Sequence, residues 1–536
     1  MSSKTRAKRS GRRGGAILLV VALALTVLAV GCGGGGTESS EAPAMSTDVL
    51  RIASASSITT WDPRVSYSTE VAYMGNMYET LLRSNPPGSE EPFTPVLATD
   101  WSVSKDGMAW TFHLREGVTF HDGAPFNAEA VKYSIEGTKK LGLGAGYLWW
   151  PLDKIEVVDD YTCVFKLNYP APIDRILSSS YAAWIYSPKT KGKSPKWWDK
   201  TNYDGGTGAY QLVSYKANEE LEFKQFADYW GGWEDNNFKN VVVKIVADAT
   251  TSRQMLESGA VDIQTTVSYD DVPGLKQNPD LNLIQTPGIY NYLLCFNTQK
   301  KPLDNVKARQ ALSYAIPYEE VLTVGANDLG RVAYGPIPST LWPGSTELPQ
   351  YHYDLDKAKE LLAEAGYPDG FKIELTYASE NPTSTAFVPL LKESWAEIGV
   401  DVDIQGLLWN QQWEKIKGKE ADRQDVVATM WWPAFNDGYD TLKTLFGTEE
   451  EAGWNFSYWY NEHFDQLIGD AFKNEAVDIE KAKQQYMEAQ TMLIDEAVGA
   501  FLFDADTVYA QSAKLKVVER NPFFYSTLEW HKLTPK

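Results

Sequence analysis

The chain has 536 residues, a net charge of −21 and 43% hydrophobic residues. That length exceeds one ordinary core, so two or more domains are expected. The first 31 residues hold six cations (Lys4, Arg6, Lys8, Arg9, Arg12, Arg13) and no acid, which leaves −27 on the rest; so acidic a body repels phosphates and excludes nucleic acid as partner.

Residues 1–31 have the form of an export signal: a basic start, an apolar run from Ala16 to Val30, then Gly31-Cys32. The run is too short for a comfortable membrane span. A small residue before Cys32 resembles a bacterial lipoprotein cleavage box, with Ala29 where Leu is usual. This implies lipid attachment at Cys32; an ordinary signal peptide with an incidental cysteine is the alternative. Arg12-Arg13 leaves twin-arginine export open beside the general route. Residues 32–48 have the Gly/Ser-rich composition of a flexible tether. Gly31, Gly33 and Gly36 satisfy G-x-G-x-x-G, but no strand precedes them and no helix follows, so they are not a nucleotide fingerprint.

The folded part is expected to begin with a strand at Val49–Ala53. Ala109–Ser134 reads as strand, turn, short strand, turn, helix. Trp110, Phe112 and Leu114 alternate with Thr111, His113 and Arg115; Asn127 is an N-cap; Val131 and Ile135 begin an apolar stripe. Ile155 to Leu167 gives two strands about Asp159-Asp160. Val241–Val246 is a buried strand, and Arg253–Ile263 reads as helix, glycine cap and strand. A second series follows, with a strand at Tyr290–Asn297, helices capped by Asp304 and Asp354, and a strand at Ala500–Phe503. Cys163 and Cys295 are expected as buried thiols, a disulfide being the other possibility.

Enzyme signatures are absent. The chain has no G-x-S-x-G and no H-E-x-x-H, and Gly192-Lys193-Ser194 lacks the first glycine of a P-loop because Ser187 stands there. The histidines (His113, His121, His352, His463, His531) are not spaced as metal ligands, and His113 and His121 are expected to be structural. No catalysis, metal or cofactor is expected.

The segment from Trp110 to Val131, Trp-Thr-Phe-x-Leu-Arg-x-Gly-Val-x-Phe-x-Asp-Gly-x-Pro-Phe-x-Ala-x-x-Val, closely resembles the hallmark of family 5 solute-binding proteins, the peptide- and nickel-type receptors of ABC importers. Ile58–Pro63, Gly206-Thr-Gly-Ala-Tyr210 and Tyr229-Trp-Gly-Gly232 resemble other pieces of that family, with Ala209 where Pro is common. The resemblance covers almost everything after the tether. It implies an α/β, two-lobe periplasmic-binding-protein-like fold of the large type II form, with the ligand between lobes. Lobe I would span 49–287, with an extra subdomain at about 99–204. Lobe II would span 288–506, and residues 507–536 would return to lobe I. The chain would be an exported, lipid-anchored monomer at the outer face of the cytoplasmic membrane. It would deliver its solute to an ABC permease and its ATPase.

Met430–Asp440 resembles the family's cleft loop, Trp-x-x-Asp-x-x-Asp-Pro. The Asp that pairs with a dipeptide's ammonium falls at Ala434; the later one is Asp437, and Gly438 replaces Pro. The Arg that holds the ligand carboxylate falls at Ala378. Both charged anchors of dipeptide binders are therefore replaced by alanine. The expected ligand-facing residues are Trp61, Asn297, Trp409, Trp431, Trp432, Asn436, Asp437, Tyr439, Tyr458 and Trp459. Flat aromatic faces beside neutral amides suit an oligopeptide, with an oligosaccharide as the alternative. A sensory receptor would use the same lobes, and a hydrolase is the third class.

Overall fold

The computed structural model describes residues 48–524 and 527–536. The export signal, Cys32 and the tether up to residue 47 lie outside the described residues. The core is an eleven-stranded sheet. Across it run Asp401–Leu407, Lys372–Ala378, Val426–Trp431, Leu281–Phe296, Gly499–Ser512, Ile263–Gln264, Val49–Ser54, Asn240–Ile245, Glu220–Gln225 and Tyr210–Lys216, with Gly330–Val332 beside Gly499–Ser512.

Two groups of strands flank the long antiparallel pair Leu281–Phe296 and Gly499–Ser512. In the first group, Val49–Ser54 runs parallel to Asn240–Ile245 and to Ile263–Gln264. In the second, Lys372–Ala378 runs parallel to Asp401–Leu407 and to Val426–Trp431. The long pair belongs to both, and its register breaks between Thr286 and Tyr290, opposite Ala505–Thr507. The local sequence explains the break. Pro287 has no amide hydrogen to donate, and a Cβ at Gly288 would lie 2.2 Å from the Ala505 carbonyl oxygen.

The Ala109–Ser134 stretch sits on a separate four-stranded antiparallel sheet, ordered Ala98–Val103, Ala109–Leu114, Thr162–Leu167, Leu152–Asp159. Trp110, Phe112 and Leu114 are buried, and His113 faces outward. Asn127 Oδ1 accepts from Ala130 N at 3.0 Å and caps the helix Ala128–Leu141. The expected short strand is only a single bridge, Thr119 to Pro125. The turn closed by Phe120 N–H to the Ala124 carbonyl leaves no length for more. Cys163, on this sheet, and Cys295, on the long strand, are both buried free thiols.

The recognisable sequence words converge on one buried carboxylate, Glu79. It accepts from Thr207 Oγ1 at 2.8 Å, Tyr229 Oη at 3.2 Å and Trp230 Nε1 at 2.9 Å. Burial pushes its carboxyl up, against those hydrogen bonds. Gly208 N–H donates to the Met77 carbonyl at 2.8 Å. Arg115 lies 4.0 Å over the Trp230 ring. His121, from the Ala109–Ser134 stretch, meets Asp204 through Nδ1 and the Gly208 carbonyl through Nε2, each at 2.7 Å. With acceptors on both nitrogens, the imidazolium is the form that satisfies the site. Burial alone would lower its pKa, but Asp204 and the Gly208 carbonyl raise it above 6.5.

A raised pKa in the fold means stability that is complete below the unfolded value and lost as pH rises through the folded one. The melting temperature of His121→Gln should therefore fall furthest below wild type near pH 5.5, with the gap narrowing toward pH 8.5. A gap constant with pH, read by calorimetry, would contradict a charged His121.

Candidate functional site

A cavity of about 520 Å³ opens where the parallel strands of the second group end. Crevices at the carboxyl ends of parallel strands are the usual ligand position in α/β folds. Ala378 closes the strand Lys372–Ala378, and Ala428 to Trp431 form the end of Val426–Trp431. Asn381 caps the helix Pro382–Ala396 and Trp409 begins Trp409–Ile416, so two helix starts face the same space. The opposite wall is Tyr67-Ser68-Thr69, just before the helix Val71–Met77 in the first part of the chain.

The walls are predominantly aromatic. Trp409 and Trp413, one helical turn apart, have ring centroids 5.9 Å apart. Trp454 stacks on Trp409 at 6.1 Å, packs on Trp413 at 4.5 Å and meets Trp431 edge-on at 5.3 Å. Trp432 lies beside Trp431, and its Nε1 donates to Tyr181 Oη at 3.2 Å. Among the described residues, no Asp, Glu, Lys or Arg lines the cavity. Ala378 and Ala434 both lie on the wall. Behind Ala434 is the buried Asp440, whose Oδ2 accepts from Ala434 N at 2.7 Å and Oδ1 from Tyr147 Oη at 2.8 Å. Burial pushes this carboxyl up to about 6. Tyr147 in turn reaches Tyr67 at 3.3 Å, which ties the two walls together.

Of the residues expected to face a ligand, Trp409, Trp431 and Trp432 line this cavity. The rest are placed elsewhere. Trp61 is buried edge-on against Tyr215 at 5.1 Å. Asn297 donates to the Gln424 carbonyl at 2.9 Å, and Tyr458 to the Ile416 carbonyl at 2.8 Å. Trp459 packs on Phe464 at 5.2 Å. Asn436 Nδ2 donates to the Phe523 carbonyl at 3.0 Å, and Tyr439 stacks on Phe472 at 4.2 Å. Asp437 caps the helix Gly438–Phe446 and meets Arg175 at 3.3 Å. Each of these side chains is engaged by protein. Sequence reasoning missed Trp454 and Tyr67–Thr69. Trp454 stands in an acidic, turn-like stretch with no periodicity, and the Tyr67 loop carries no motif.

Residues 92–453 match the model of bacterial extracellular solute-binding proteins, family 5 Middle. The chain is 31% identical over 433 residues to the dipeptide-binding protein of Escherichia coli, covering 75% of this chain and 79% of that one. It is 29% identical over 465 residues to heme-binding protein A of Haemophilus influenzae, covering 80% and 82%. Among solved structures it resembles the periplasmic binding protein DppA of Helicobacter pylori in complex with the peptide STSA. The TM-score there is 0.74 and the identity 26%, over 91% of this chain and 98% of that one. A match over most of the chain, in sequence and in fold, establishes that the protein belongs to the family 5 bacterial extracellular solute-binding proteins.

Proposed function

We propose that the chain is the substrate-binding component of an ABC importer and captures an oligopeptide-like solute by closure of two lobes. It hands that solute to a membrane permease driven by an ATPase. Lobe I comprises the first strand group with the four-stranded sheet, and lobe II the second group. The two crossings lie at the register break of the long strand pair. A lipid on Cys32 holds the monomer at the outer face of the membrane, and no bond of the ligand is broken. Relatives named for dipeptide and for peptide binding support the solute class.

The observation that carries the reading is the cavity itself, with indoles on one side, Tyr67–Thr69 on the other, and no charged side chain on the wall. Such a surface suits apolar side chains and a neutral peptide backbone. It does not suit free termini, because a charged ammonium or carboxylate enclosed without a partner costs several kcal/mol. Ala378 and Ala434 stand where that partner charge would be needed.

A thermal-shift screen against peptides of two to six residues, sugars and metals tests the class. A ligand at about 100 times its Kd stabilises by about 2.7 kcal/mol. Stabilisation by peptides of three or more residues is expected, and stabilisation by sugars alone would refute the proposal. Calorimetry on plain dipeptides should give Kd values weaker than about 1 μM. Tighter binding would show that the alanines do not exclude zwitterions.

A further inference from the structure

Arg175 lies on the short helix Ile173–Leu177, which packs with the four-stranded sheet. Its Nε stands 3.3 Å from Asp437 Oδ2 and 3.1 Å from Glu475 Oε2. Asp437 begins the helix Gly438–Phe446 and Glu475 ends the helix Glu462–Asn474, both in the second part of the chain. The contact thus joins the part that carries the four-stranded sheet to the second part of the chain. It is largely buried: both carboxylates are inaccessible and the Arg175 side chain is 16% exposed. Trp342 Nε1 donates to Glu475 Oε2 at 3.2 Å, and Tyr486 Oη to Glu475 Oε1 at 2.5 Å. The Arg175 guanidinium lies 5.1 Å over the Trp342 ring. Next to this cluster the loop ahead of Asp437 enters the other part. Phe435 is buried in the core of the four-stranded sheet, and the Ala434 carbonyl accepts from Ser179 Oγ at 2.8 Å.

The charges do not balance if both acids are ionised. Asp437 Oδ2 and Glu475 Oε2 both stand within 3.3 Å of the single Arg175 Nε, so two buried carboxyls crowd one N–H, and one proton held on the pair relieves their repulsion. Asp174, partly buried, and Asp440, buried, add negative potential, and Tyr439 and Tyr486 are neutral in the ordinary pH range. Arg175 is the cation facing the pair.

We propose that Arg175, Asp437 and Glu475 form a proton-holding latch that clamps the two lobes shut, independently of which solute is inside. The inference rests on the lobe-closure reading above. Opening would break the Arg175 contacts and admit water to both acids, so the shared proton would leave. Burial first, and then the Asp437 charge, raise the Glu475 carboxyl well above its ordinary range in the closed form, against the Arg175 charge. A proton bound more tightly in the closed form favours closure at low pH and is lost as pH rises. The cluster therefore acts as a positioning device that adds the same closing bias to every ligand.

The test measures the distance between spin labels on V158C and V324C, two exposed positions in different lobes, in the full chain carrying C32S. The native Cys163 and Cys295 are buried, with thiols pushed up to about 12, and do not take label. The ligand-free protein should show a short and a long distance. Between the open-state Glu value, about 4.3, and the closed-state value, the short-to-long ratio should fall about tenfold per pH unit. Glu475→Gln and Asp437→Asn each place a neutral donor where the shared proton sits and should hold the ratio constant from pH 5 to 9. Two distances in a pH-independent ratio, or variants that respond to pH as wild type does, would overturn the latch alone. A single distance at every pH, persisting in Arg175→Ala, would overturn lobe closure together with the latch.

Discussion

Replacing Trp431 with alanine should weaken binding of the tightest ligand from the screen by about 2 kcal/mol or more, some thirtyfold in Kd, which is the scale of a central aromatic contact. Trp431 stands at the end of a central strand, lines the cavity, and is held edge-on to Trp454 at 5.3 Å and beside Trp432 at 6.4 Å. A rigid indole fixed by its neighbours loses little freedom when a ligand settles on it. Truncation removes that face and also frees Trp454 to turn. Trp409→Ala is the comparison. Trp409 is 38% exposed, so its loss should cost less affinity than that of Trp431. Isothermal calorimetry with both variants checks the order. Equal losses, or no loss at Trp431, would place the ligand elsewhere.

Gly206→Ala should be severely damaging to the fold, on the order of 4 kcal/mol, with a large drop in the melting temperature. A Cβ there would lie 1.9 Å from the Met77 carbonyl oxygen and 2.6 Å from its carbonyl carbon. Both atoms are backbone and cannot swing away. Any shift would disturb the Gly208 N–H to Met77 bond and the neighbouring contacts of Glu79 with Thr207, Tyr229 and Trp230. Gly469 is the control. It lies inside the helix Glu462–Asn474, and a Cβ there meets nothing within 4 Å. Gly469→Ala should stabilise by about 0.5–1 kcal/mol, since alanine loses less backbone freedom in a helix. Denaturant unfolding of both proteins would show opposite signs if Gly206 is kept for close approach and not for local flexibility.

The Gly-Thr-Gly words illustrate how family resemblance and ligand recognition separate. These words, with Tyr229-Trp-Gly-Gly and the Ala109–Ser134 stretch, meet around Glu79 and His121, where backbone approaches backbone. They are constrained by burial and hydrogen bonding, which act whatever the solute is. None of them lines the cavity.

What the sequence determined by itself was the machine: the α/β pattern, the four-stranded sheet beneath Trp110, the cap at Asn127, the family and the absence of charge at Ala378 and Ala434. Those features are local, because alternation, capping and motif spacing are set within a few residues along the chain. What only the tertiary structure decided was which aromatic rings face empty space. Trp454 and Trp459 are five residues apart, yet Trp454 stands in the cavity wall and Trp459 packs on Phe464 in the core. Composition is blind to that difference, since an indole has the same hydrophobicity in either place. The cavity is assembled from residues 67–69, 378, 381, 384, 409, 428–432, 434 and 454. Asp437 shows the same limit: as a sequence position it looked like a ligand anchor, and its partners, Arg175 and Glu475, come from distant segments. Only the fold brings those three charged groups together.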